Sequence, residues 1–116
     1  MTRADALRLV RESIARGSAT PALGGADRGE YLRARSDELE AALVEPIPVF
    51  IQGEAFHHGL VELLASHQAR VIARRDDHYL GFVEGTGDFF LAYGADTEHL
   101  NALGFFSNDA LAEWLG

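Results

Sequence analysis

The chain contains no cysteine and no lysine; all ten basic residues among its 116 are arginine. Without cysteine there is no disulfide, thiolate zinc site, iron–sulfur cluster or cysteine nucleophile. Without lysine there is no Schiff-base chemistry, no pyridoxal phosphate anchor, no Walker A phosphate loop and no Ser-x-x-Lys acyl transferase. The G-x-S-x-G and G-x-G-x-x-G patterns are missing as well. No apolar run approaches the roughly 18 residues of a membrane span. The start, MTRADALRLVRES, is charged throughout and lacks the apolar stretch of a secretory signal, so a cytoplasmic protein is expected. These exclusions point away from enzymes and toward binding, with no cofactor and no catalytic residue implied.

What is present is the composition of one soluble domain: 47% hydrophobic and 24% charged residues, with mean hydropathy near zero. A chain this long buries roughly two thirds of the surface its unfolded form exposes. That supports one core and leaves no room for two. Arginine without lysine, with abundant Ala, Leu and Gly, fits a GC-rich bacterial genome.

The formal net charge is -8, and it is unevenly spread. Residues 1–75 hold all ten Arg and ten of the 18 acids, which cancel. Residues 76–116 hold the other eight acids and no Arg. Such a surface repels a phosphate backbone and an anionic membrane, so neither nucleic acid nor membrane is expected as partner. It suits a cationic partner, through complementary potential, or it simply keeps the protein soluble.

Thr2 and Asp5 form an [ST]-x-x-[DE] start, predicting a helix to about Arg16 with Leu7, Val10 and Ile14 on one stripe and Gly17 closing it. Residues 17–26, GSATPALGGA, read as a connector. Asp27 and Glu30 open a second helix to about Val44, along Leu32, Leu39 and Leu43, ended by Glu45-Pro46. Pro48–Gln52 reads as a short buried strand, and 54–66 as a helix through Phe56, Leu60, Leu63 and Leu64. Three strands follow, Ala69–Arg75, His78–Glu84 and Asp88–Tyr93, joined by links too short for parallel crossovers. One or two helical turns are expected over 97–103, and a last helix, capped by Ser107, holds Leu111, Trp114 and Leu115. The order α-α-β-α-β-β-β-α predicts one α+β domain over 1–116. Residues 1–45 form a helical hairpin, and 46–116 form a mainly antiparallel sheet with helices packed on it.

Three constellations carry potential chemistry. Glu54, His58 and Glu62, beside His57 and with His67 further on, place imidazole and carboxylate at helical spacing. That donor set suits zinc or another first-row metal, with His57, His58 and Glu62 as the ligands, or it is a solvated polar face. Glu84 and Asp88 flank Gly85-Thr86-Gly87, so two carboxylates meet across a hairpin neck or simply sit in water. In the Phe89-Phe90 pair, strand alternation turns one ring away from the core, either under the last helix or toward a partner.

The reading that results is a non-enzymatic protein-binding module that occludes a basic partner, a toxin or an enzyme, through Asp76, Asp77, Glu84, Asp88, Asp96 and Glu98. By general character the chain looks like the small acidic α+β immunity proteins with which bacteria neutralise toxins. Two alternatives remain: a metal-binding domain or metal-dependent enzyme on the His57, His58 and Glu62 cluster, and a dimeric scaffold like the secretion chaperones.

Overall fold

The computed structural model describes residues 1–17, 28–48, 69–84, 86–95, 100–102 and 107–115. They form α1 (Arg3–Ala15), α2 (Arg28–Ala42), β1 (Leu43–Pro48), β2 (Ala69–Arg75), β3 (His78–Val83), β4 (Asp88–Tyr93), β5 (Asn101–Ala102) and α3 (Ala110–Leu115). The strands make one five-stranded antiparallel meander in the order β1-β2-β3-β4-β5. The expected α+β class and the β2–β3–β4 meander are therefore present.

α1 begins as its sequence reads. The Thr2 hydroxyl accepts from Asp5 N, and the Asp5 carboxylate accepts from Thr2 N at 2.8 Å, a complete capping box. Those bonds from Thr2 hold the Asp5 carboxyl below the usual carboxylate range. Gly17 closes the helix at φ 99°, a conformation that costs glycine nothing.

α2 ends at Ala42 rather than near Val44, and a strand, Leu43–Pro48, follows it directly, before the expected start at Pro48. Helical spacing assigned Leu43 to the helix. Its backbone instead pairs with Ala73, and its side chain joins the same core from a strand position. β1 holds Pro46 and Pro48 because it is an edge strand, where a missing N–H leaves no ladder bond broken. Residues 49–52 and the expected helix 54–66 lie outside the described residues. The helical turns expected over 97–103 are corrected in part: Asn101 and Ala102 are extended and pair with Tyr93 and Ala92 of β4.

Both faces of the sheet are buried along β2, β3 and β4. Leu80, Phe82 and Phe89 face a layer made of Ala6 and Val10 from α1, Leu39 from α2, and Ala110, Leu111 and Trp114 from α3. Ile72 and Ala73, adjacent in β2, both join this layer because the register slips between Val71 and Ala73, as in a β-bulge. Ala69, Val71, Tyr79, Val83, Phe90, Ala92 and Leu100 form a second cluster. Phe89 and Phe90 are thus both core residues, one on each face.

The glycine in β3 has a packing reason. Gly81 pairs with Phe90 across the strands, and a Cβ at Gly81 would fall within the Phe90 ring. Polar latches fix the helical layer. The buried Ser13 hydroxyl donates to Asn108 O at 2.6 Å and accepts from Ala110 N at 2.8 Å, tying α1 to the start of α3. Arg3 donates to Glu40 O and Leu43 O, the carbonyls where α2 ends, each at 3.2 Å. The Arg11–Glu40 pair, at 2.8 Å, adds a second tie between α1 and α2.

Two stability measurements check this packing. Ser13→Ala orphans the Ala110 N–H in a dry site and is expected to cost about 1–3 kcal/mol in urea unfolding. Gly81→Ala overpacks the sheet and is expected to cost a similar ~1–3 kcal/mol. Adding Phe90→Leu should recover part of the second loss, because the two residues occupy one space. Strictly additive losses would separate Gly81 from Phe90.

Candidate acidic interface

The hairpin geometry divides the acids singled out from the sequence. Asp76 and Asp77 form the β2–β3 turn, whereas Glu84 and Asp88 flank the β3–β4 turn at the other end of β3. The six residues of β3 separate Asp77 from Glu84, about 20 Å of extended chain. The four carboxylates therefore do not make one patch. Asp96 and Glu98 lie outside the described residues.

At the first end the acids have local duties. The turn is two residues long because Arg75 pairs with His78, and Asp76 takes φ 55° in it. Left-handed backbone is what such a tight hairpin requires, and Asp tolerates it better than most side chains. Asp77 pairs with His78 at 3.0 Å.

At the second end the suggested carboxylate pair does not form. Asp88 pairs in register with Val83, not Glu84. Glu84 turns toward β2 and accepts from Arg70 Nε at 2.8 Å. Gly87, at φ 77°, donates to Val83 O and closes the turn.

A different set of acids gathers at this second end. Ser107 and Phe89 exchange backbone hydrogen bonds, at 2.7 and 3.2 Å, which brings the start of α3 beside the start of β4. The cap of α3 is Asp109 rather than Ser107: Asp109 Oδ1 accepts from Ala112 N at 3.0 Å. The Ser107 hydroxyl accepts from Asp109 N and donates to Glu113 Oε1 at 3.0 Å. Partial burial raises the Glu113 pKa above the usual value; the Ser107 bond opposes that, and the charges of Asp109 and Asp88 add to it. Glu84, Asp88, Asp109 and Glu113 therefore share one end of the molecule, with Arg70 beside them.

Asp109 and Glu113 entered the sequence reading only as charge. Their spacing carried the missing signal: an acid three residues before Ala112 caps a helix, and an acid four residues further on shares its face.

The metal-ligand candidates His57, His58 and Glu62, with Glu54 and His67, lie outside the described residues. Among the described residues no three His, Asp or Glu side chains are grouped to hold a metal ion. No described helix is long and apolar enough to cross a membrane. Trp114 is a core residue, 3% exposed, while Tyr93 is 45% exposed. Phe105 and Phe106 lie outside the described residues.

The raised Glu113 pKa has a definite sign in stability. Its contribution is complete below the ordinary value of 4.5 and is lost as pH climbs through the raised one. Glu113→Gln keeps an acceptor for Ser107 without the charge. Urea unfolding of both proteins from about pH 4 to about pH 7 should show the variant gaining on wild type as pH rises. A pH-independent difference would contradict the burial of this carboxyl. Comparison of the chain with protein-family models, with curated proteins and with solved structures finds no match.

Proposed function

We propose that this protein is a non-enzymatic protein-binding module, a small acidic bacterial immunity or inhibitor protein that occludes a basic partner. The observation that carries the reading is the gathering of Glu84, Asp88, Asp109 and Glu113 at the β3–β4 end of the sheet, accompanied among the described residues by Arg70. Crowding carboxylates is electrostatically unfavourable for the protein alone: the charges of Asp109 and Asp88 add to the burial that raises the Glu113 pKa. A cationic partner turns that repulsion into attraction and gains a faster, oriented encounter.

Asp76 and Asp77, at the opposite end, drop out of the docking surface in this reading. The absence of cysteine and lysine is compatible with recognition without covalent chemistry.

The test uses wild type and a variant with Asp88→Arg and Glu84→Gln, neither of which caps a helix. Each is used as bait in host lysate at about 50 and about 500 mM salt, a range over which screening of exposed charge changes strongly. The expected result is one basic protein held by wild type at low salt and released at high salt. The variant, with unchanged melting temperature, should retain about ten-fold less of it. Equal retention by the folded variant would refute docking through this end.

A further inference from the structure

A second charged feature lies at the other end of the molecule. Where α2 runs into β1, a shallow cleft of about 530 Å³ is lined by Arg35, Glu38, Ala41, Ala42, Arg74 and Arg75. Each arginine is laid over an aromatic ring. Arg35 lies 5.5 Å from the Tyr31 centroid, Arg74 5.4 Å from Tyr79 and Arg75 5.2 Å from Trp114. Stacking engages the flat face of a guanidinium and orders it, while its N–H edge stays available for an acceptor.

Nearby carboxylates consume only part of those edges. Arg35 gives one Nη to Glu38 at 2.6 Å, and among the described residues its buried Nε has no acceptor. Arg74 donates Nε to the Asp76 carbonyl at 3.0 Å rather than to a carboxylate. Asp77, the next acid in the chain, pairs with His78. Among the described residues neither Arg74 nor Arg75 has an ion-pair partner. Tyr79 and Trp114 belong to opposite faces of the sheet. Arg35 and Arg75 thus share the helical face, and Arg74, stacked on Tyr79, also lines the cleft from β2.

We propose that this cleft is an oxyanion site that takes a phosphoryl group, held between Arg35 and Arg75 over Ala41 and Ala42. Three arginines against one glutamate leave a formal charge of +2 on the lining residues. A phosphomonoester carries close to that charge in negative sign, with three strong acceptor oxygens, whereas a single carboxylate leaves one guanidinium uncompensated. The chain's overall charge of -8 disfavours a long polyanion but scarcely opposes one compact dianion. This site stands apart from the acidic end and does not depend on the protein-docking reading.

Trp114 is the only tryptophan and lies beneath Arg75, so its emission reports on the cleft. Titration with inorganic phosphate, at ionic strength held constant with chloride, is expected to change that emission saturably, with half-saturation at or below about 1 mM. Phosphate should also raise the melting temperature of wild type. Arg35→Gln with Arg75→Gln should weaken the phosphate response at least about ten-fold and remove the thermal shift. Arg33→Gln, an exposed change on the same helix, should leave both unaltered. Comparing glycerol phosphate with a phosphoserine peptide then distinguishes a free phosphate ester from a phosphorylated side chain as the source. A linear response in wild type, an undiminished response in the double variant, or an equal response to chloride would each overturn the assignment.

Discussion

The structure depends on a central strand that is dry on both sides. β3 alternates Tyr79, Gly81 and Val83 on one face with Leu80 and Phe82 on the other, and all five are buried. Such a strand tolerates no register slip, because a shift of one residue would exchange its two faces and mismatch both. Gly81 is part of that fit: the Phe90 ring occupies the space a Cβ there would need. With β3 so constrained, the β2 irregularity has somewhere to go. Ile72 and Ala73 both turn to the helical side, and the sheet gains one more apolar residue against α1 and α2.

Polar ties fix the helices within the apolar layer they share. Ser13 joins α1 to α3 across 95 to 97 residues of sequence, and Arg3 holds the end of α2 from the first turn of α1. Those ties set where α3 starts, beside Phe89, and where it ends, with Trp114 beneath Arg75. One short helix therefore connects the acidic end to the arginine cleft. Its direction suits both, since the amino end favours Asp109 and the carboxyl end favours Arg75.

Local signals were legible where chain neighbours alone decide the outcome. The Thr2–Asp5 box, the Gly17 stop and the β2–β3–β4 hairpins all follow from short-range chemistry. Leu43 was misplaced because an apolar residue suits the end of a helix and the start of a strand equally well; the deciding partner, Ala73, lies 30 residues away. The acidic end was harder. Asp88 and Glu84 were visible as a pair, but their company was not: Arg70 arrives across a strand, and Asp109 and Glu113 arrive through the Phe89–Ser107 bridge. Charge counted along the chain located the acids in the correct half and could not distribute them over its two ends.

The prolines of β1 have a consequence for how this sheet meets other chains. A strand at a sheet margin is a template, and a neighbour extends the ladder by bonding to its outward N–H and C=O groups. Pro46 and Pro48 delete two donors from a strand of six residues. No incoming strand finds an unbroken row of partners there, even though Ile47, between the two prolines, offers an exposed apolar side chain. Among the described residues, growth of the sheet by edge-to-edge joining is thus opposed on this side by covalent structure rather than by charge.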